Sequence, residues 1–102
     1  MLKKIYIAFL QRRAKKRVFQ NAVISGKNHI IGARARVILS DGAKREQVQI
    51  GDSCWHRGQI IVQTNGIVIL KPHSQIGDNT DIFAVNRIEI GAYTAIAPNT
   101  TI

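Results

Sequence analysis

Side chains with the chemistry for catalysis or ligand binding are scattered along this 102-residue chain. They include three histidines, one cysteine and several asparagines, among them His29, His56, His73, Cys54 and Asn86. A histidine can take a proton from a hydroxyl as general base, because the pKa of imidazole lies near neutral pH. A single cysteine excludes an internal disulfide and a cysteine-rich metal site, so Cys54 is interpreted as a small hydrophobic side chain and no metal is expected. The roles open to the histidines and to Asn86 depend on the fold that positions them.

Large aliphatic residues return every six positions along much of the chain. The last stretch, IEIGAYTAIAPNTTI at 88–102, shows this spacing, and the same spacing upstream defines coils of about 20 residues. Three columns of side chains result: Ile50, Leu70 and Ile90; His56, Ile76 and Ile96; and Val62, Ile82 and Ile102. His56 is the polar exception. It is interpreted as a local slip of register or as a hydrogen-bonded histidine near a coil edge.

The residues beside these anchors indicate short strands separated by corners. Two positions before each anchor stands a small or β-branched residue, and side chains two apart on a strand share a face. Glycine follows four aliphatic anchors, at 32, 51, 77 and 91, where it suits a corner. An amphipathic helix would instead space its anchors three and four apart. The pattern predicts a β-solenoid whose stacked coils bury a continuous aliphatic pillar.

The first coil follows the same plan less regularly. Ile31 and Val37 fit the second and third columns, and a surplus of residues at 40–47 separates Val37 from Ile50. Shorter surpluses, of two residues each, follow Val62 and Ile82 at the same corner of the coil. Such an arrangement is expected when the loops project from one edge of a solenoid. Before residue 30 the register blurs.

The blocks IGDSCW, IGDNTD, IGAYTA and IAPNTT resemble the repeats of the hexapeptide-repeat acyltransferases, and residues 88–102 resemble the O-acetyltransferase branch of that family. The resemblance covers about residues 30–102. It implies an all-β fold, a left-handed parallel β-helix of triangular section, here with three to four coils. The handedness comes from the resemblance alone, since parallel crossovers are generally right-handed. We expect an N-terminal basic helix at 1–22 and the β-helix at 23–102.

The resemblance also implies an activity. Its members transfer an acetyl group from acetyl-CoA, bound between neighbouring subunits of a homotrimer, to a hydroxyl of a saccharide or similar small acceptor. Their histidine base lies shortly after the repeat that here ends with Ile102, so catalytic and CoA-binding residues are expected beyond Ile102. We assign that role to none of His29, His56 and His73, and interpret His73 as a solvated turn residue. Polar residues at corners line the acceptor pocket in relatives, and Asn86 is assigned to it.

The position of Ile102 leads to two further expectations. A solenoid that stops on an inward-facing isoleucine exposes its pillar and an unpaired strand edge, so we expect an adhesive C-terminal end. The chain is then either an N-terminal piece of a longer acetyltransferase or a degenerate short version. The alternative to an enzyme is a non-catalytic β-solenoid fragment that assembles with itself.

The net positive charge is concentrated in the N-terminal part of the chain. The formal net charge is +9, yet residues 1–40 hold ten Lys or Arg and no acid, while 41–102 hold five basic and six acidic residues. On a helix, Leu2, Ile5, Tyr6, Phe9 and Leu10 share one side, and Ala14 and Val18 continue this apolar stripe less cleanly. The stripe predicts a helix that caps the first coil. Binding to an anionic membrane surface is the alternative, and nucleic acid is less favoured because no aromatic stacking platform accompanies the charge.

The first residues of the chain are not typical of a targeting segment. Its apolar stretch, residues 5–10, is shorter than that of a signal peptide and is followed by Arg12 and Arg13, and no stretch has the length of a membrane span. We expect a cytoplasmic protein. The basic helix also allows an alternative location, in which the protein is attached peripherally at the inner membrane surface.

Overall fold

A computed structural model describes residues 2–102; Met1, the first residue of the expected N-terminal segment, and the Leu2 side chain lie outside the described part. One helix, α1 (Leu2–Gln20), precedes a series of short strands, and a 3-10 helix (Arg45–Gln47) lies between the third and fourth of them. The strands are β1 (Val23–Ile24), β2 (Ile30–Ile31), β3 (Arg36–Leu39), β4 (Val48–Ile50), β5 (Trp55–His56), β6 (Gln59–Val62), β7 (Ile67–Leu70), β8 (Gln75–Ile76), β9 (Asp81–Ala84), β10 (Arg87–Ile90) and β11 (Ala95–Ile96).

Every third strand joins the same parallel sheet. Sheet A is β1-β4-β7-β10, sheet B is β2-β5-β8-β11, and sheet C is β3-β6-β9. Consecutive strands therefore lie on different sides, and the chain winds as a three-sided parallel β-helix of about three turns. The predicted fold class is confirmed, with its N-terminal helix; the left-handed sense stays a prediction.

Two of the three predicted columns are confirmed. On sheet A, Ile50, Leu70 and Ile90 pair in register, and Ile24 extends the column into β1, where the sequence pattern blurs. On sheet B, Ile31, His56, Ile76 and Ile96 pair in register. Fully burying one such aliphatic side chain contributes about 2 kcal/mol, so these columns are the main source of stability.

The third column differs from the prediction in one coil. Ile60, and not Val62, pairs with Val37 and Ile82, while Val62 pairs with Leu39 and Ala84. The cause is a short corner: residues 57–58 join β5 to β6, whereas residues 32–35 and 77–80 make the corresponding corners of the neighbouring coils. A Cβ at Gly58 would overlap the carbonyl oxygen of Thr80, so this tight corner requires glycine.

The loops that vary in length project from a single edge, as predicted. They join sheet C to sheet A, and they are residues 40–47, 63–66 and 85–86. The coil that loses two residues at its 57–58 corner regains them at 63–66, so the repeat of 20 residues between Ile50 and Leu70 is preserved.

The helix α1 covers the first coil with only its C-terminal half. Ala14 and Val18 are buried against the solenoid, and Leu10 and Phe19 are half-buried. The predicted capping stripe is therefore wrong in its first part, because residues 3–9 are exposed all round, with Ile5 66% and Phe9 54% accessible. These two turns of the helix extend past the surface that the first coil offers. No helix within residues 2–102 is long and apolar enough to cross a bilayer.

Candidate functional site

The fold places the three histidines in three different environments. His56 is in the core on β5, His29 is buried just before β2, and His73 is exposed at a corner between sheets A and B. Across residues 2–102, no three His, Cys, Asp or Glu side chains lie close enough together to hold a metal ion. Within this described range, the three histidines therefore do not form a metal-binding cluster.

His56 is a structural residue of the core. Its side chain is fully buried between Ile31 and Ile76, and its Nε2 donates a hydrogen bond to the carbonyl oxygen of Arg36 at 3.1 Å. Nδ1 is buried and has no partner in the described part of the chain. Burial lowers the pKa of His56 to about 4, and the hydrogen bond to Arg36 opposes this shift without cancelling it. The neutral, hydrogen-bonded ring confirms the interpretation of a bonded histidine; the register slip occurs one step later, at 57–58.

His29 joins two coils. Its Nε2 lies 2.8 Å from the carbonyl oxygen of Ser25 and 2.9 Å from that of Gly51. Because both partners are carbonyls, Nε2 carries the proton and donates to them. The ring edge also meets Phe19 of α1, with ring centroids 5.9 Å apart. These contacts tie the helix to the first two coils and leave the side chain buried.

His73 is the histidine that solvent reaches, which confirms its interpretation as a solvated turn residue. Its backbone φ is 62°, in the left-handed region, and its ring stacks on Tyr93, whose φ is 60°. The two residues hold the same turn position in successive coils. The stacking was not predicted, although their 20-residue separation equals the repeat.

Asn86, predicted to contact the acceptor, is exposed between β9 and β10. It lies on the corner between sheets C and A, whereas His73 lies on the corner between A and B. Asn79 and Asn99 have left-handed φ values of 56° and 59° at their corners, as expected for asparagine in turns. The structure does not group Asn86 with a histidine, and its role stays a prediction.

Cys54 fills a small slot in the core, as interpreted. It is fully buried, and its Sγ lies 3.4 Å from the hydroxyl of Ser74, the residue one repeat later. It also lies 3.1 Å from the carbonyl oxygen of Lys71. This thiol is not accessible to a substrate.

A cavity at the corner between sheets B and C collects basic side chains that are far apart in sequence. We call it the arginine cavity; it has a volume of about 510 Å³ and is lined by Arg17, Ala33, Arg34, Arg36, Arg57, Gly58, Gln59 and Asn79. Arg17 comes from α1, and the others come from the corners of three successive coils and the strand ends next to them. Sequence reasoning missed this group because it depends on the 57–58 corner, which the predicted register did not contain.

Comparisons with protein-family models, curated proteins and solved structures find no match to this chain. The arguments about function therefore rest on its residues and geometry.

Proposed function

We propose that the chain forms the β-helical scaffold of an acetyl-CoA-dependent O-acetyltransferase that modifies a hydroxyl of a saccharide or similar small acceptor. The observation that carries this proposal is a repeated turn geometry within the hexapeptide blocks. In IGDSCW, IGDNTD, IGAYTA and IAPNTT the fourth residue has a left-handed φ; these residues are Ser53, Asn79, Tyr93 and Asn99. In each block the leading isoleucine ends a strand, and the next three residues make the corner.

The turn geometry supports the proposal because it explains the hexapeptide as a structural unit. One aliphatic residue faces the core, the corner turns the backbone onto the next side of the β-helix through a left-handed residue, and the next small residue faces inward. A fold does not by itself imply a function, so the resemblance of the blocks to those acyltransferases carries the activity. The transfer moves the acetyl group from the CoA sulfur to the acceptor oxygen, and the hydroxyl proton passes through a base to the departing thiolate.

Within this proposal, His29 and His56 do not serve as the base, because both are buried and hydrogen-bonded to backbone carbonyls. Asn86 keeps its assignment to the acceptor site as part of the proposal. It is exposed and therefore accessible to a saccharide hydroxyl.

We also propose a homotrimer that associates through sheet C. Ile38, Ile61 and Phe83 pair in register on its outer face, and Ile38 and Phe83 are 37% and 43% accessible. An outward row of large apolar side chains on adjacent strands is a feature of protein interfaces.

The test of the enzymatic proposal measures acetyl-CoA binding by calorimetry and follows release of CoA thiol in the presence of a panel of sugars. The Cys54→Ser variant serves as the assay protein, since it removes the thiol of the chain itself and Ser74 already occupies the equivalent slot. Saturable binding of acetyl-CoA together with release of CoA thiol would support the proposal. A chain that neither binds acetyl-CoA nor releases thiol would favour a non-catalytic, self-assembling solenoid over the enzyme.

A second candidate function is binding to an anionic membrane surface through the first half of α1. The observation that favours it is the exposure of Ile5, Tyr6, Ile7 and Phe9 on a helix that also carries exposed Lys3 and Lys4. Apolar residues enter the headgroup region, and each nearby basic residue contributes about 1 kcal/mol at an anionic surface. Such attachment would place the protein at the cytoplasmic face of a membrane.

This second candidate is tested by sedimentation with vesicles that contain or lack anionic phospholipid. We expect binding only to the anionic vesicles, with a loss in the double variant Ile5→Ser and Phe9→Ser that leaves every charge in place. Equal binding by that variant, or preferential binding to a nucleic acid competitor, would exclude the membrane surface.

A further inference from the structure

We propose that the arginine cavity binds the phosphate or diphosphate group of a small molecule. This inference is independent of the acetyltransferase proposal. It concerns four arginines, Arg17, Arg34, Arg36 and Arg57, which line one cavity.

The charge around the cavity is unbalanced. No carboxylate lines it, and the salt bridges found in the described part of the chain are Lys71–Glu89 and Arg87–Glu89, neither of which involves a cavity arginine. Like charges held close together repel one another, and a bound anion removes that cost. Guanidinium groups suit phosphate oxygens in particular, because their planar N–H pairs form two parallel hydrogen bonds to them.

Two of the four arginines are held in place without a ligand. Nη2 of Arg17 donates to the carbonyl oxygens of Ala33 and Ala35, at 3.3 and 2.9 Å, and its Nε is buried with no partner among the described residues. The Arg57 guanidinium lies over the Trp55 ring, 5.3 Å from its centroid. Groups that are ordered beforehand lose less conformational entropy when a ligand binds, which favours recognition of a small anion.

A neighbouring glycine explains how Arg57 reaches this position. A Cβ at Gly32 would lie 3.0 Å from Cγ of Arg57 and 3.1 Å from its Cα. The absence of that Cβ lets the stem of Arg57 lie against the corner of the preceding coil. The arginines of the first and second coils therefore share one cavity.

The size and the remaining lining indicate the class of ligand. At about 510 Å³ the cavity is larger than a single phosphate group needs, and Gln59 and Asn79 add side-chain amides to its wall. Amides hydrogen-bond to hydroxyl and carbonyl groups, which suits the part of a phosphorylated molecule beyond its phosphate. The expected ligand is a phosphate ester or diphosphate with a small polar group attached.

The experiment titrates the full chain with inorganic pyrophosphate at low salt, using calorimetry and the fluorescence of Trp55, the one tryptophan of the sequence. Trp55 does not line the cavity, but the Arg57 guanidinium lies over its ring, so a ligand that moves Arg57 changes the fluorescence of Trp55. The test variant is the double substitution Arg34→Gln and Arg36→Gln, since both side chains are exposed and their loss is expected to leave the core intact. Unchanged thermal melting of this variant verifies that it folds.

The matched control is Lys3→Gln with Lys4→Gln, which removes the same charge from α1 at positions outside the cavity. We expect one pyrophosphate per chain, weakened at least about tenfold in the arginine variant and little in the lysine variant. The absence of saturable binding at millimolar pyrophosphate, or equal weakening in both variants, would overturn the proposal.

A third arm separates other sources of phosphate. This arm measures binding of the wild type and the arginine variant to anionic vesicles and to a short nucleic acid. The small-molecule proposal is also overturned if the wild type binds one of these but not pyrophosphate, and the arginine variant loses that binding. All arms omit acetyl-CoA, so a negative result here leaves the acetyltransferase proposal untouched. Because acetyl-CoA itself carries a diphosphate, its binding alone does not distinguish the two proposals, whereas release of CoA thiol in the presence of sugars tests the acetyltransferase alone.

Discussion

The rings of His73 and Tyr93 stack face to face across two coils of the β-helix, with centroids 4.9 Å apart and planes 4° from parallel. Each residue occupies the left-handed position of its corner. The regular repeat that aligns aliphatic side chains inside the solenoid therefore also aligns side chains on its surface.

The stacked pair should couple energetically. In a double-mutant cycle with His73→Asn and Tyr93→Asn, we expect a coupling free energy of about 0.5–1.5 kcal/mol, measured by urea unfolding. Asparagine is chosen because it tolerates left-handed φ values, so the single variants add no backbone strain. Strictly additive effects would show that the rings do not stabilise one another.

Stability should fall in acid because of His56. Its pKa is about 4 in the folded protein against 6.5 as the ordinary value, so the unfolded chain binds a proton first as the pH falls. Above pH 6.5 the neutral ring makes its full contribution to the free energy of unfolding. That contribution, about 3 kcal/mol in total, is lost as the pH falls from 6.5 to about 4. The His56→Ile variant, which matches the isoleucines at 31, 76 and 96, should lack this part of the pH dependence. An identical pH profile for both proteins would disprove it.

Charge in the aliphatic pillar should prevent folding. Ile76 is almost fully buried, so Ile76→Asp places an unpaired charge among Leu70, Ile82 and their neighbours and should abolish cooperative melting. Ile96→Asp should cost less, because Ile96 is half-buried. The control is Gln75→Asp, an exposed position on the same strand. A normal melting curve for Ile76→Asp would refute the column assignment.

The short corner at 57–58 should be intolerant of a side chain at its glycine. Gly58→Ala is expected to destabilise the fold by about 3 kcal/mol, because the new Cβ meets the backbone oxygen of Thr80. Gly42→Ala should cost only about 1 kcal/mol, since position 42 has open space and the loss comes from its φ of +81° alone. Denaturant unfolding compares the two, and equal losses would contradict the tight corner.

Association through sheet C should depend on Phe83. We expect Phe83→Lys to reduce the sedimenting mass from trimer to monomer, because the charge enters the apolar row formed with Ile38 and Ile61. Gln75→Lys adds the same charge to the outer face of sheet B and should leave the mass unchanged. A monomeric wild-type protein would refute the proposed interface.

Much of the fold is predictable from local pattern because its period is short and its core is aliphatic. The inward positions of Ile50, Leu70 and Ile90 follow from the 20-residue spacing and were correctly predicted. The error at Val62 has a physical origin. Ile60 and Val62 are two apart and both face inward, so a shift of two residues keeps the hydrophobic face and cannot be detected from hydrophobicity.

The helix and the arginine cavity are less predictable. Amphipathic spacing indicates which side of α1 is apolar, but it does not indicate that the first coil covers only Ala14, Val18 and their neighbours. The cavity is lined by residues of α1 and by corners and strand ends of three coils. Which residues line it depends on how the coils are aligned, and the sequence pattern predicted this alignment incorrectly in one coil.

By itself the sequence determined the solenoid, its coil length and the turn positions of its hexapeptide blocks, because each of these depends on residues within one repeat. Tertiary structure decided the pairing at Ile60, the burial of His56 and the meeting of Arg17 with Arg57. Those features depend on how whole coils stack, and stacking is set by corner geometry and by steric contacts such as that of Gly58 with Thr80.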